Sequence, residues 1–373
     1  MNALPPLAAT DLDHVTSHTR DHWDVVRGKR LLITGGTGFF GRWLLESFLW
    51  ANDQLELSAS VTVLSRNPGA FLASMPHIAT HKSVKLAAGD MCTCEMKSER
   101  FDFVIHAAAE PLPPNPAADP LLPFERNVAG TKNALEIARC CGARRFLFTS
   151  SGAVYGRQPS DLTRVPEDYR GAPDPLDPLT TYGQAKRISE FLCASYARRH
   201  GLETVVARCF AFVGPHLQLD AGYAIGNFIR DALRGGPINI NGDGTPRRSY
   251  LYAADLAVWL WTILFRGEAG RAYNVGSDTD LSICELADEV RKVVAPQAEV
   301  KVAKQATAGE PAQRYVPSIQ RARNELGLDV LISLPDAIAH TAEWYRNDER
   351  RTPNAESSAR DFGIRTSDFG LSR

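Results

Sequence analysis

A short apolar run, Arg30-Leu31-Leu32-Ile33-Thr34, runs straight into Gly35-Gly36-Thr37-Gly38-Phe39-Phe40-Gly41. An apolar run of that length closed by glycine reads as a buried parallel strand. Residues 40–51 follow with helical spacing, carrying Trp43, Leu44 and Phe48. Strand, glycine turn and helix in this order are what a dinucleotide fingerprint requires. Side chains at the glycines would keep the backbone away from a pyrophosphate. The helix N-terminus then offers free N–H groups and the positive end of its dipole to the phosphates. The glycine pattern alone is weak, and a tight turn would explain it. Its place after the first strand of an alternating pattern makes it good evidence.

That alternation continues. Further strands are expected at 61–64, 84–88, 103–105, 145–149 and 204–209, and helices at 127–141 and 181–200. The expected fold is α/β, a Rossmann-type doubly wound parallel sheet with a smaller, interleaved C-terminal substrate-binding portion. Past Phe210, loops rich in Gly and Pro separate shorter elements. The expected divisions are a polar N-terminal extension at 1–27, with a short helix near 21–26, and a dinucleotide-binding domain at 28–210 and about 250–275. A substrate-binding portion follows at 211–249 and 276–348, then a flexible tail at 349–373.

Composition excludes several classes. Lys+Arg number 42 and Asp+Glu 43, a net charge of −1. A protein of nucleic acid or of a membrane surface would need a basic excess. Hydrophobic residues at 44% and charged residues at 23% exclude disorder as the main state. The longest apolar run, about 256–265, is half of a bilayer span. The first residues lack the basic and apolar regions of a signal peptide. The seven cysteines form no pair of CxxC knuckles and the nine histidines no HExxH. Neither a disulfide framework nor a metal is expected. The thiols read as reduced, in a cytoplasmic protein.

The end of the second strand chooses the ribose. An acid there bonds a free 2′-hydroxyl, and a basic residue accommodates a 2′-phosphate. The strand ends Leu64-Ser65-Arg66, without an acid. Arg66 therefore tilts the expected cofactor, NAD(P), toward NADP(H); a solvated loop arginine is the plain alternative. Asp90 is placed to accept from an adenine amino group, or else to close a turn.

Tyr182 and Lys186 are four apart and share one helix face. A tyrosine titrating at about pH 10 is a poor base near neutrality. A lysine cation one turn away is expected to stabilise the phenolate and pull that value down. The pair could then move a proton on or off a substrate hydroxyl while hydride moves to or from nicotinamide. Ser151, at the C-terminal end of a strand, is placed to meet the same oxygen. The structural alternatives are a core Tyr, a solvated Lys and a capping Ser.

Taken in order, the motifs resemble the extended short-chain dehydrogenase/reductase family, the nucleotide-sugar epimerases and dehydratases, over about residues 28–345. They are the Thr34–Gly41 loop, Gly89-Asp90, His106-Ala107-Ala108-Ala109, Asn127-Val128-Ala129-Gly130-Thr131, the Thr149–Gly156 segment, Tyr182-Gly183-Gln184-Ala185-Lys186, Arg208-Cys209-Phe210 with Gly214-Pro215, and Gly242-Asp243-Gly244 leading to Arg248. The resemblance implies that Ser151 orients the sugar, that Tyr182 is acid and base, and that Lys186 also holds the ribose. It implies cofactor contacts from Gly35, Gly38, Phe39, Phe40, Gly41, Arg66, Asp90, Met91, Ala107, Ala108 and Asn127, together with Tyr182 and Lys186. Asn127 matches the asparagine that props the active-site helix, and a helix N-cap is compatible with that. Arg248 matches the arginine to the substrate pyrophosphate. Arg314 would do similar work, and Asn227 would touch sugar or phosphate. The family's usual arginine near Thr307 is replaced by small residues.

The function so implied is NAD(P)-dependent epimerisation of a nucleotide sugar by hydride transfer through a transient 4-keto sugar. The alternatives are an NADPH-dependent 4-keto-sugar reductase, a 4,6-dehydratase and a non-catalytic nucleotide sensor. Dehydratases of the family carry carboxylates directly after the active-site Ser or Thr, where this chain has Gly152 and Ala153. A sensor has no need of Ser151, Tyr182 and Lys186. The expected partners are a nucleotide-diphosphate sugar and a second copy of the chain, with no nucleic acid and no membrane. The homodimer would use the 127–141 and 181–200 helices, where Leu135, Ile188, Phe191 and Leu192 could serve core or interface.

Overall fold

Leu31, Leu32 and Ile33 are all fully buried, as a strand covered on both faces requires. The computed structural model describes residues 3–96, 98–110, 119–307, 309 and 311–351. Strand β1 (Arg30–Thr34) lies in a seven-stranded sheet with β2 (Ser60–Ser65), β3 (Val84–Ala88), β4 (Phe103–His106), β5 (Arg145–Ser151), β6 (Glu203–Cys209) and a last strand, Ala272–Val275. The order across the sheet is Ala272–Val275, β6, β5, β4, β1, β2, β3, and every pair is parallel. The order reverses at β1, which has β2 on one side and β4 on the other. Such a switch point opens a crevice at the C-terminal ends of the strands.

The alternation along β1 divides the core. Leu31 and Ile33 join one apolar cluster, with Val61, Val63 and the helix Ala253–Arg266. Leu32 joins the other, with Val104, Phe146, Phe148 and residues of the helices Leu121–Cys140 and Thr181–His200. The apolar run at 256–265 is thus a core helix. Among the described residues no helix is long and apolar enough to cross a membrane.

The segment expected to be a polar extension is instead part of the body. It forms helix α1 (Ala9–Thr19) and a 3-10 helix at Arg20–Val26. Leu12, Val15, Trp23 and Val26 are buried, and the Trp23 ring lies 4.8 Å from that of Trp261. Leu12 and Val15 are one turn apart in the α-helix, and Trp23 and Val26 one turn apart in the 3-10 helix, a spacing that the surrounding polar residues hide. Helix α2 (Phe39–Gln54) follows the glycine turn.

The helix expected over 127–141 begins six residues earlier, at Leu121. Pro123 does not stop it, because the first turn needs no N–H donor. The helix expected over 181–200 is found at Thr181–His200 and closes on Gly201. A small sheet pairs Arg247–Arg248 with Leu281–Ser282 on one side and Arg314–Tyr315 on the other. The last helix is Leu334–Arg351, so most of the expected tail, 352–373, lies outside the described residues.

Candidate active site

The glycine turn abuts the end of β4. Gly35 has φ +72°, and a Cβ there would stand 2.5 Å from the backbone of Ala107. A Cβ on Gly41 would stand 2.3 Å from the Gly35 carbonyl oxygen. Only glycine lets α2 begin so close to its own turn, with Gly38 as its N-cap. The resulting cleft is lined by Gly35, Gly38, Arg66, Asp90, Ala107 and Asn127, among others, and Met91 and Ala108 also face it. Phe39 and Phe40 open α2 beside it. A backbone cradle of this shape at a helix N-terminus fits the diphosphate of a dinucleotide.

His106, the last residue of β4, is buried and bridges Thr34 Oγ1 at 2.7 Å and Thr131 Oγ1 at 3.2 Å. Burial pushes its imidazole down to about 3, so the ring is neutral. Asn127 is not an N-cap: it lies in the second turn of its helix. Its side-chain amide accepts from the Glu110 N–H at 3.1 Å and donates to the carbonyls of Glu110 and Pro123 at 3.1 and 2.7 Å. It therefore pins the segment after β4 to the helix.

Asp90 does close a turn, accepting from the Cys92 N–H at 2.8 Å. Its other oxygen receives Arg126 at 2.6 Å, and these bonds hold its carboxyl below the usual range. Arg126 also donates to Glu110 at 3.0 Å, and Arg66 reaches the same carboxylate at 3.4 Å. Arg66 keeps most of its side chain in solvent, 63% exposed. The sequence reading named Asp90 and Arg66 but missed Arg126 and Glu110, which carry no motif of their own.

Ser151, Tyr182 and Lys186 come together past the end of β5. The Lys186 ammonium donates to the Thr149 carbonyl at 2.8 Å and stands 5.7 Å from the centre of the Tyr182 ring. It is buried, which lowers its value to about 8. The expectation of a depressed Tyr182 does not hold. Loss of water around the phenol raises it, the nearby Tyr315 adds to the rise, and a hydrogen bond with Ser151 opposes it only in part. Desolvation of the phenolate is the largest influence, and it sets the direction.

Behind the lysine, Glu190 ties the helix to the sheet. It accepts from Ser150 Oγ at 2.6 Å and from Arg208 at 2.7 to 3.2 Å. Arg248 is half-buried, donates to the Arg247 carbonyl at 2.8 Å, and among the described residues has no carboxylate partner. Arg314 is not brought beside it. Alternation on paired strands puts Arg314 with Arg247, and both engage Asp280. Asn227, on the helix Ala224–Leu233, accepts from Arg230 at 3.3 Å. The sequence reading missed Tyr315, whose hydroxyl lies 3.4 Å from Ser151 Oγ. A two-residue strand leaves no periodic signal. Among the described residues no cluster of side chains could hold a metal ion.

The sequence model of the NAD dependent epimerase/dehydratase family matches residues 31–276. The chain belongs to this family. It is 31% identical to UDP-glucuronic acid decarboxylase 3 of Arabidopsis thaliana, over 85% of this chain and 89% of that one. UDP-glucuronic acid decarboxylase 1 of Xenopus tropicalis is 28% identical, over 87% and 74%. Among solved structures, the dTDP-glucose 4,6-dehydratase DesIV of Streptomyces venezuelae, with NAD and TYD bound, superposes with a TM-score of 0.72 at 26% identity, covering 86% of this chain and 98% of that one. The UDP-glucose 4-epimerase of Thermotoga maritima, with UDP-glucose, shares the fold with a TM-score of 0.70 at 23% identity, over 85% and 99%. The sequence relatives named are decarboxylases, and the solved structures named are a dehydratase and an epimerase.

Proposed function

We propose that this enzyme is a nucleotide-sugar epimerase that oxidises a ring hydroxyl, lets the transient 4-keto sugar turn, and restores the hydroxyl. The observation that carries the reading is the convergence of Ser151, Tyr182 and Lys186 at the end of β5, with Gly152 and Ala153 in the two following positions. Bound nicotinamide supplies the hydride acceptor and, on return, the hydride donor. Gly35, Gly38 and Gly41 would hold its diphosphate and Lys186 its ribose. Ser151 and Tyr182 face the reacting oxygen. Tyr182, as phenolate supported by Lys186, would take the hydroxyl proton as hydride leaves, and as phenol would return that proton to the keto oxygen when hydride comes back.

Neither Gly152 nor Ala153 can carry a proton, which speaks against elimination of water from the sugar. Arg248, a half-buried cation without an acid partner among the described residues, is the group best placed to meet the substrate diphosphate. The same cation would also suit the carboxylate of a uronic acid, the substrate class in the names of the Arabidopsis and Xenopus relatives. Arg66 favours NADP(H) over NAD(H), and the exposed helix faces favour a homodimer.

The test is incubation with UDP-glucose, dTDP-glucose and UDP-glucuronic acid in deuterated water, each with NAD and with NADP. A C-4 epimer is the expected product. A 4-keto-6-deoxy sugar bearing solvent deuterium at C-5 would make the enzyme a dehydratase. Release of carbon dioxide from UDP-glucuronic acid would make it a decarboxylase. Net consumption of NADPH on a 4-keto sugar would make it a reductase.

A further inference from the structure

Ser151 has a neighbour that no motif announces. Tyr315 is 164 positions further along the chain, yet its hydroxyl lies 3.4 Å from Ser151 Oγ. The ring is fixed on two sides. Its centre lies 4.7 Å from that of Phe210, and the Arg248 guanidinium stands 5.8 Å from it. Gly152 makes room for it. A Cβ on Gly152 would stand 2.8 Å from the Tyr315 hydroxyl and 2.7 Å from the Phe210 ring. The glycine after Ser151 is therefore what admits the phenol to the serine.

The hydrogen bonds at Ser151 can be counted. A hydroxyl has one proton and two acceptor positions. One acceptor position takes the Ala153 N–H at 3.1 Å. A phenol is a stronger acid than an alcohol, so of the two hydroxyls Tyr315 is the better donor. With the Tyr315 proton in the second acceptor position, the serine's own proton is left for Tyr182, whose rise the Ser151 bond opposes, or for a sugar oxygen that takes that place.

We propose that Tyr315 is a positioning residue for the reaction: it donates to Ser151 and thereby commits the Ser151 hydroxyl to donate to the sugar oxygen. This rests on the reading of Ser151 as the residue that orients the sugar. The effect of Tyr315 passes through the serine.

The experiment is a double-mutant cycle on the full chain, with Tyr315→Phe, Ser151→Ala and the pair, and with Tyr182→Phe alongside. Turnover is measured on UDP-glucose, dTDP-glucose and UDP-glucuronic acid, and NADPH binding is followed by its fluorescence. Phenylalanine keeps the ring contacts, so the melting temperature and NADPH affinity of Tyr315→Phe should match wild type. Its kcat should fall roughly 3- to 10-fold, the worth of one hydrogen bond, with KM nearly unchanged. The double variant should be no slower than Ser151→Ala, because a relay lost once cannot be lost again. Additive losses, or an unchanged Tyr315→Phe beside an inactive Tyr182→Phe, would overturn this role and leave the proposed function standing. A wild type that turns over none of the three sugars would overturn both. A Tyr315→Phe protein that melts early and loses NADPH affinity would show a structural role only.

Discussion

The Lys186 ammonium donates to the carbonyl of Thr149, 2.8 Å away, and so is tied to the strand that ends at Ser151. The helix and the strand that carry the reacting groups are thus joined at Lys186, as they are at Glu190 through Ser150. Lys186 sits 5.7 Å from the Tyr182 ring centre, close enough to support a phenolate, and its bond to Thr149 leaves two of its three N–H donors for that work.

Tyr182→Phe tests the assignment directly. It should keep the fold and cofactor binding and lose roughly 10²- to 10⁴-fold in turnover, the usual cost of removing a positioned acid or base. Product formation from the three nucleotide sugars measures it. Near-normal turnover would remove Tyr182 from the chemistry.

Arg66→Ala concerns the 2′-phosphate. Arg66 is mostly exposed and only loosely held by Glu110 at 3.4 Å, so it is free to turn toward a ligand. The variant should bind NADPH more weakly, roughly tenfold or more for a lost charge-assisted contact, and NADH almost unchanged. Titration of both cofactors against both proteins decides it. Equal effects, or a wild type that strongly prefers NADH, would leave Arg66 as a solvated loop residue.

His106 makes the stability pH-dependent. Its folded value, about 3, is below the ordinary 6.5. Below about pH 6.5 the unfolded chain binds a proton that the folded chain refuses, so stability falls as pH falls toward 3. The loss amounts to about 2 kcal/mol between neutral pH and pH 5. His106→Gln can still bridge Thr34 and Thr131 and should lose less over the same interval. Denaturant midpoints at the two pH values, read for both proteins, check this; parallel losses would mean that other groups set the acid sensitivity.

Ile188 at 42% and Phe191 at 67% exposure stand on the helix Thr181–His200, with Leu121 at 64% and Leu122 at 50% on the adjoining helix. Leu135, which sequence alone left between core and interface, is fully buried. The exposed set predicts a homodimer by light scattering at micromolar concentration. Phe191→Asp should give a monomer that remains folded, because the side chain it replaces touches solvent. A monomeric wild type would refute the assignment of this face.

Local chemistry was legible before any coordinates. A strand, a glycine turn and a helix announce a crevice because only glycine permits the close approaches at Gly35 and Gly41. Tyr182 and Lys186 share a face because a helix repeats every 3.6 residues. The one-turn pairs Leu12 with Val15 and Trp23 with Val26 escaped notice, because polar neighbours diluted them. Other facts belong to the assembled chain alone. Whether Lys186 lowers the Tyr182 value depends on how much water the fold removes from each, and the fold removes enough to reverse the expected direction. Arg248 and Arg314 look alike in sequence, but the pairing of two short strands turns them to opposite faces, one bonded to a backbone carbonyl and one bound to Asp280. Tyr315 reaches Ser151 across 164 positions because a two-residue strand aligns with Arg248. A contact of that kind has no periodicity to betray it; it exists only once the sheet has formed.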